Sequence, residues 1–295
     1  MDECKLCPRN CGVNREKGEL GYCKAGANMV IARYSLHMWE EPCISGNKGS
    51  GTIFFSNCNL GCIFCQNYEI SQLNKGRTVS IQEFSDICIE LQEKGANNIN
   101  LVTGCMYVYD IIKGIKLAKE KGLVIPVIYN TSGYENVSTI KLLDGVVDVY
   151  LPDLKYYNSK LGEKYSNCKD YFKYASKAIE EMYKQVGKCK FDSNGMIKKG
   201  VIVRHLILPD CTGDSKNVIK YLYNKYKNNV YISIMNQYTP VRECKYDNLN
   251  KMVSEEEYED VIDYAYDLGV RNAYVQEGET QKESFIPDFD VFRGI

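Results

Sequence analysis

Cys58-Asn59-Leu60-Gly61-Cys62-Ile63-Phe64-Cys65 is the stretch whose residue types and spacing point to chemistry. Three thiols lie four and then three residues apart, directly after the apolar run Gly51-Thr52-Ile53-Phe54-Phe55-Ser56. Thiolates are the protein ligands of cubane-type iron–sulfur clusters, and this spacing lets one short loop hold three corners. The fourth iron would lack a protein ligand and stay open to a substrate or cofactor. A CxxC pair alone also serves zinc ribbons and redox dithiols, although a structural zinc site wants four ligands grouped in pairs. A triple of metal-free buried cysteines is the third reading.

A second group of thiols opens the chain. Cys4-x2-Cys7-x3-Cys11 is followed by Cys23, with Pro8 beside the second thiol. Gly12, Gly18, Gly21 and Gly26 predict a compact looping piece over 4–43, neither helix nor strand. Such a piece is too small for its own core and needs a staple. A second iron–sulfur cluster or a structural zinc would use the four thiolates. Reduced thiols packing the segment against the rest of the chain are the alternative, and Cys43 can replace one ligand. The expected division is a cysteine-rich segment, 1–46, and a main domain, 47–295.

Composition narrows the field. The 295 residues are 44% apolar and 25% charged, as in globular proteins, with a net charge of −1. That charge gives no footprint for nucleic acid. No apolar run is long enough to span a membrane, and Met1-Asp2-Glu3-Cys4 lacks a signal-peptide pattern. Fourteen cysteines without such a signal point to metal or cluster binding in a reducing cytoplasm. With only His37 and His205 available, a histidine-rich metal site is excluded.

From Gly51 onward, strands alternate with amphipathic helices. Strands are predicted at 51–56, 98–103, 125–130, 147–152, 201–208, 230–235 and 273–276. Helices are predicted at 80–94, 107–121, 136–144, 159–185, 215–227 and 254–268. Ser80 with Glu83 reads as a capping box, and Ser254 opens the last helix. A hairpin around Ser193-Asn194-Gly195 precedes the fifth strand. This alternation predicts an α/β fold with a parallel sheet partly or fully closed into a β/α (TIM-like) barrel, whose ligands gather at the C-terminal strand ends. Those ends carry the cluster loop, then Thr103-Gly104-Cys105-Met106, Asn130-Thr131-Ser132-Gly133 and Asp153-Leu154-Lys155. Arg204 and His205 lie on the fifth strand, before Pro209-Asp210-Cys211, and Asn236-Gln237-Tyr238 and Gln276-Glu277 end the last two.

The CxxxCxΦC pattern, with Phe64 as its aromatic residue and Gln66-Asn67 after it, resembles the radical S-adenosylmethionine (SAM) superfamily. The resemblance spans nearly the whole chain. Cys4-x2-Cys7-Pro8-Arg9-x-Cys11-Gly12-Val13-Asn14-Arg15, Glu41-Pro42-Cys43-x-Ser45-Gly46 and Phe285-Ile286-Pro287-Asp288-Phe289 look like a branch similar to pyruvate formate-lyase activating enzymes. It implies a 4Fe–4S cluster on Cys58, Cys62 and Cys65, with SAM chelating the open iron. Gln66 and Asn67 would line the cofactor, and Thr103-Gly104 stands where the superfamily contacts the methionine amine. Asp153 and Lys155 match an Asp-x-Lys near the methionine, and Arg204 matches a strand-borne arginine of that pocket. Asn236, Gln237 and Tyr238 sit at the end that contacts adenine and ribose, and Asn130 joins the cofactor-binding set.

Two runs depart from the branch, Gly104-Cys105-Met106 and Asp210-Cys211-Thr212-Gly213, each placing a cysteine at the substrate-facing rim. Cys105 is either a neutral replacement or a thiol that gives hydrogen to a substrate radical or ligates a cluster. The resemblance implies one-electron cleavage of SAM, with an external flavodoxin- or ferredoxin-like donor, and hydrogen abstraction by the 5′-deoxyadenosyl radical. The substrate is a glycyl radical enzyme, a peptide or a small molecule. A non-enzymatic iron–sulfur or zinc scaffold is the other class, and it would yield no 5′-deoxyadenosine.

Overall fold

The computed structural model describes residues 3–276, 287 and 289–294. Met1, Asp2, Glu277, Phe285, Ile286 and Asp288, quoted above, lie outside the described residues. The strands are β1 (Val30–His37), β2 (Ser50–Phe55), β3 (Arg77–Thr78), β4 (Ile99–Val102), β5 (Val127–Thr131), β6 (Val149–Pro152), β7 (Lys190–Phe191), β8 (Ile197–Leu206), β9 (Tyr231–Met235) and β10 (Ala273–Val275). The helices are α1 (Pro42–Ser45), α2 (Tyr68–Gln72), α3 (Ile81–Glu93), α4 (Val108–Glu120), α5 (Val137–Leu142), α6 (Ser159–Ser166), α7 (Tyr171–Val186), α8 (Thr212–Tyr226) and α9 (Glu255–Leu268).

β2, β4, β5, β6, β8, β9 and β10 run parallel in that spatial order, and each answers to a strand expected from the sequence. The sheet is open, so full closure is not realised. β1 lies antiparallel on β2, and β3 antiparallel on β1, occupying the edge where a closing strand would pair. β1 also corrects the reading of 4–43 as free of strand: Val30–His37 alternates partly with buried Ile31, Ala32 and Tyr34 and pairs along β2.

One face of the sheet carries Leu101, Tyr129, Tyr150 and Val203 against the apolar stripes of the helices, such as Phe84, Ile87, Cys88 and Leu91 of α3. Each such side chain stabilises the fold by about 1.5–3 kcal/mol when fully buried. The other face carries Ile128, Val149, Leu151 and Ile202, packed with Cys43 and Ile44 of α1. The expected helix 159–185 is two helices. Asn167, at φ 47, ends α6 in a left-handed cap, and α7 restarts at Tyr171. The expected capping box of α3 is half made: Ser80 Oγ accepts Glu83 N–H, but the Glu83 carboxylate pairs with Arg77. The Ser254–Glu257 box of α9 is complete. The hairpin before the fifth strand is β7 on β8.

Candidate active site

The cluster loop leaves β2 through Asn57, whose φ of 76 turns the chain and whose Oδ1 accepts Tyr107 O–H at 2.8 Å. Gly61, at φ 74, makes the second turn, and an added Cβ would stand 3.0 Å from Tyr22 Oη. Each loop thiol has a polar neighbour. Leu60 N–H donates to Cys58 Sγ at 3.4 Å, and Ser166 O–H to Cys62 Sγ at 3.0 Å. Ser71 Oγ lies 3.4 Å from Cys65 Sγ. Burial, then the nearby Cys65 thiol, pushes Cys58 up. Burial also pushes Cys62 up to about 12, against the opposing charge of Lys155. Burial thus favours the protonated form of Cys58 and Cys62, and a bound metal is what would make them thiolates.

All three thiols line one cleft of about 260 Å³ at the C-terminal ends of the strands. Gln66, Asn67, Thr103, Asn130, Asp153, Lys155, Arg204 and Gln237 line it with them. Thr103 holds φ 61, a strained conformation for a β-branched residue, and its N–H donates to Asn130 O at 2.8 Å. Lys155 Nζ donates to Asp153 Oδ2 at 2.5 Å. Burial alone would lower Lys155, but Asp153 and Cys62 outweigh it and hold the lysine above its ordinary value. Gln66 Nε2 donates to Gln237 O at 3.1 Å, tying the loop to the end of β9.

Four of the expected groups lie off the cleft. An added Cβ at Gly104 would meet Ile111 Cδ1 at 2.5 Å, so this glycine lets α4 pack close. Asn236 is buried, its N–H bonded to Gln276 Oε1 at 2.8 Å. Tyr238 donates to Leu249 O at 2.7 Å and packs edge-on against Phe64, behind the loop. Cys105, 3% exposed, lies 3.9 Å from both Leu6 O and Asn59 Nδ2, beneath the N-terminal segment. Cys105 is therefore not among the residues that line the cleft. Cys211 is likewise absent from the cleft lining.

The sequence reading missed two carboxylates. Arg204 Nε donates to Glu41 Oε1 at 2.8 Å, and its Nη2 to Glu41 Oε2 at 2.6 Å and to Glu40 Oε2. Burial would raise Glu41, but the Arg204 guanidinium beside it holds it below the usual carboxylate range. The signal was Arg204 itself, since a charge inside an apolar strand calls for buried partners. Beside Cys105, burial pushes Glu135 up to about 7, against hydrogen bonds from Thr131 and Tyr129. An acid raised in the folded state stabilises fully below its unfolded value, near 4.5, and loses that contribution as pH rises through 7. Urea unfolding of Glu135→Gln should therefore lack a fall in stability of about 3 kcal/mol between these limits that the parent shows.

Among the N-terminal thiols, Cys4 and Cys23 are buried and Cys7 and Cys11 half-buried. Tyr22 N–H donates to Cys11 Sγ at 3.3 Å, and Arg15 Nη2 to Cys23 Sγ at 3.6 Å. Arg9 crosses from this segment to the cluster loop, donating to Asn59 O at 3.0 Å, Leu60 O at 3.2 Å and Asn167 O at 2.8 Å. Among the described residues, neither these thiols nor those of the loop converge on one metal-bonding point.

Residues 52–199 match the radical SAM superfamily, which covers half of the chain. The chain belongs to the radical SAM superfamily. MJ0674 of Methanocaldococcus jannaschii, described as an uncharacterized protein, is 32% identical over 273 residues, 89% of this chain and 74% of that one. Streptococcus suis SuiB bound to the precursor peptide SuiA aligns over 76% of this chain and 47% of SuiB, with TM-score 0.52 and 15% identity. Native anSMEcpe with bound AdoMet aligns over 75% of this chain and 61% of its own, with TM-score 0.51 and 16% identity. The chain thus spans about half of SuiB, and at these identities the likeness is one of fold. Three thiols on one loop, each with a hydrogen-bond neighbour, suit the thiolate ligation of an iron–sulfur cluster. No helix among the described residues is long and apolar enough to cross a membrane.

Proposed function

We propose that Cys58, Cys62 and Cys65 hold a 4Fe–4S cluster beside SAM, and that the enzyme cleaves SAM reductively to abstract hydrogen from its substrate. The reading is carried by three thiols, the Asp153–Lys155 pair and polar ends of β4, β5 and β9 lining a single cleft. When bound, the cluster supplies the single electron that opens a carbon–sulfur bond of SAM. Lys155, kept protonated by Asp153, offers a fixed cation to the carboxylate of SAM. Thr103, Asn130 and Asn67 offer hydrogen bonds, and the Gln66–Gln237 tie fixes the width between the loop and β9. Phe54, Phe55, Leu60, Val102 and Leu206 wall the cleft with apolar surface that excludes water. Gly104, Asn236 and Tyr238 act behind this wall as packing and support.

The electron comes from an external flavodoxin- or ferredoxin-like donor, in a reducing cytoplasm. A peptide substrate is supported by SuiB with its precursor peptide, and activation of a glycyl radical enzyme by the Asp153-x-Lys155 resemblance. Anaerobically reconstituted protein given dithionite and SAM should release 5′-deoxyadenosine. An intact cluster spectrum with no 5′-deoxyadenosine overturns the reading.

We assign Cys4, Cys7, Cys11 and Cys23, in the segment 1–46 ahead of the β/α domain 47–295, to a second thiolate site for iron–sulfur or zinc. Support comes from backbone N–H donation by Arg9 to Cys7 and by Ala25 to Cys23, the i+2 pattern of Leu60 and Cys58. Arg9 then braces the cluster loop from that site. Arg9→Ala should retain less than half the iron of the parent after reconstitution, with no rescue by Arg9→Lys, as iron analysis per chain will check.

A further inference from the structure

We propose that Arg15 is the built-in counter-charge of the second thiolate site, which therefore takes a metal–thiolate centre of net negative charge. The inference rests on the assignment of Cys4, Cys7, Cys11 and Cys23 to that site. Arg15 is only 6% exposed, and among the described residues no carboxylate forms an ion pair with it. A guanidinium is always charged, and burying it is costly unless something negative meets it. Its fork makes two contacts. Nη1 donates to Met106 O at 2.7 Å, and Nη2 donates to Cys23 Sγ at 3.6 Å. The carbonyl anchors the fork on the 3-10 turn Cys105–Tyr107, and the charge is left facing sulfur. Glu16 and Asp110 line the hollow beside Arg15 together with Lys113, and neither carboxylate comes within ion-pair distance of the guanidinium.

The thiols themselves point the same way. Arg9 N–H donates to Cys7, Ala25 N–H to Cys23, and Tyr22 N–H to Cys11 Sγ at 3.3 Å. With the guanidinium, four donors are aimed at three sulfurs. A neutral thiol is a weak acceptor, so donors placed on sulfur favour the thiolate. Asn10 N–H bonds Cys7 O and Lys24 N–H bonds Gly21 O, both at 3.0 Å, so the backbone itself closes the turns around Cys7 and Cys23. Burial pushes the Cys23 thiol up, and the Ala25 N–H and the Arg15 charge oppose it. A divalent cation on four thiolates keeps two negative charges, and a 4Fe–4S cluster on four thiolates is negative as well. Arg15 compensates part of that charge. Four neutral thiols that merely pack the segment would leave Arg15 buried with no counter-charge.

Zinc is the probe, titrated into the full reduced chain in competition with a chromophoric chelator. The second-site zinc is the portion that the parent holds and Cys23→Ala does not. Arg15→Gln should bind that zinc at least tenfold more weakly, about 1.4 kcal/mol. Arg15→Lys, which keeps the charge, should stay within threefold of the parent, and Lys17→Gln, exposed two residues on, should leave binding unchanged. Urea unfolding with and without zinc should show the same loss in the stabilisation that zinc confers, a difference that a packing role for Arg15 would not move. A folded Arg15→Gln that binds zinc as the parent does overturns the proposal, and so does an equal loss in Arg15→Lys or in Lys17→Gln. Should Arg15→Gln fail to fold, Arg15→Met, which removes the charge and keeps the length of the side chain, decides by the same comparison. Equal zinc in the parent and Cys23→Ala overturns the second site and this proposal with it. That failure is read before any Arg15 variant, and it leaves the 5′-deoxyadenosine assay standing.

Discussion

Replacing Cys58 by Ala is expected to lower 5′-deoxyadenosine formation by at least about a thousandfold, roughly 4 kcal/mol of lost transition-state stabilisation. Cys62→Ala and Cys65→Ala should match it, because each removes one of three ligands and no further thiol lines the cleft to replace it. Ser166→Ala, which removes only the hydrogen bond to Cys62 Sγ, should cost about 10–100-fold in iron retention or rate. The graded pair separates ligation from support. Equal activity in Cys58→Ala and the parent would end the cluster assignment for this loop.

Arg204→Leu should destabilise the fold by about 3–5 kcal/mol, because it strands Glu40 and Glu41 without a counter-charge. The pH dependence should also reverse. In the parent, Glu41 is held below its ordinary value, so its contribution is present above that value and lost as pH falls through the lowered one. In Arg204→Leu the guanidinium no longer opposes the burial that raises Glu41, so stability should improve on acidification. Urea unfolding at pH 5 and pH 8 measures both effects. The double variant Arg204→Leu/Glu41→Leu should recover much of the loss, since removing both members of a buried pair costs less than removing one. A single-variant loss below about 1 kcal/mol would show that water reaches these carboxyls.

The parts legible in the sequence were those written in short-range patterns. Seven strands could be read because each is an apolar run before a polar end, and β2, β5 and β9 begin or end within a residue or two of expectation. β1 was hidden by the glycines and cysteines before it, and its partner β2 begins thirteen residues after β1 ends, beyond any local signal. The break at Asn167 was illegible for another reason: a left-handed asparagine caps a helix only once its neighbours pack around it. Cleft residues at strand ends followed from topology alone. Cys105 was placed in the cleft by the same rule, yet the 3-10 turn Cys105–Tyr107 rolls its side chain outward to the N-terminal segment. The Glu40–Glu41–Arg204 contact joins residues 163 and 164 positions apart, and no spacing rule reaches that far.

The Arg9 crossing has a consequence for how the protein is made. Arg9 emerges among the first residues of the chain, yet one of the carbonyls it grips, on Asn167, lies 158 residues later. At about 5–20 residues per second, the ribosome exposes that partner roughly 8–30 s afterwards. For the later part of that interval the cysteine-rich segment and the loop of Cys58 are both outside the ribosome, and the grip on Asn167 is not yet made. Loading of the cluster proposed for that loop would then be open to delivery machinery during synthesis, before the clasp on Asn167 closes.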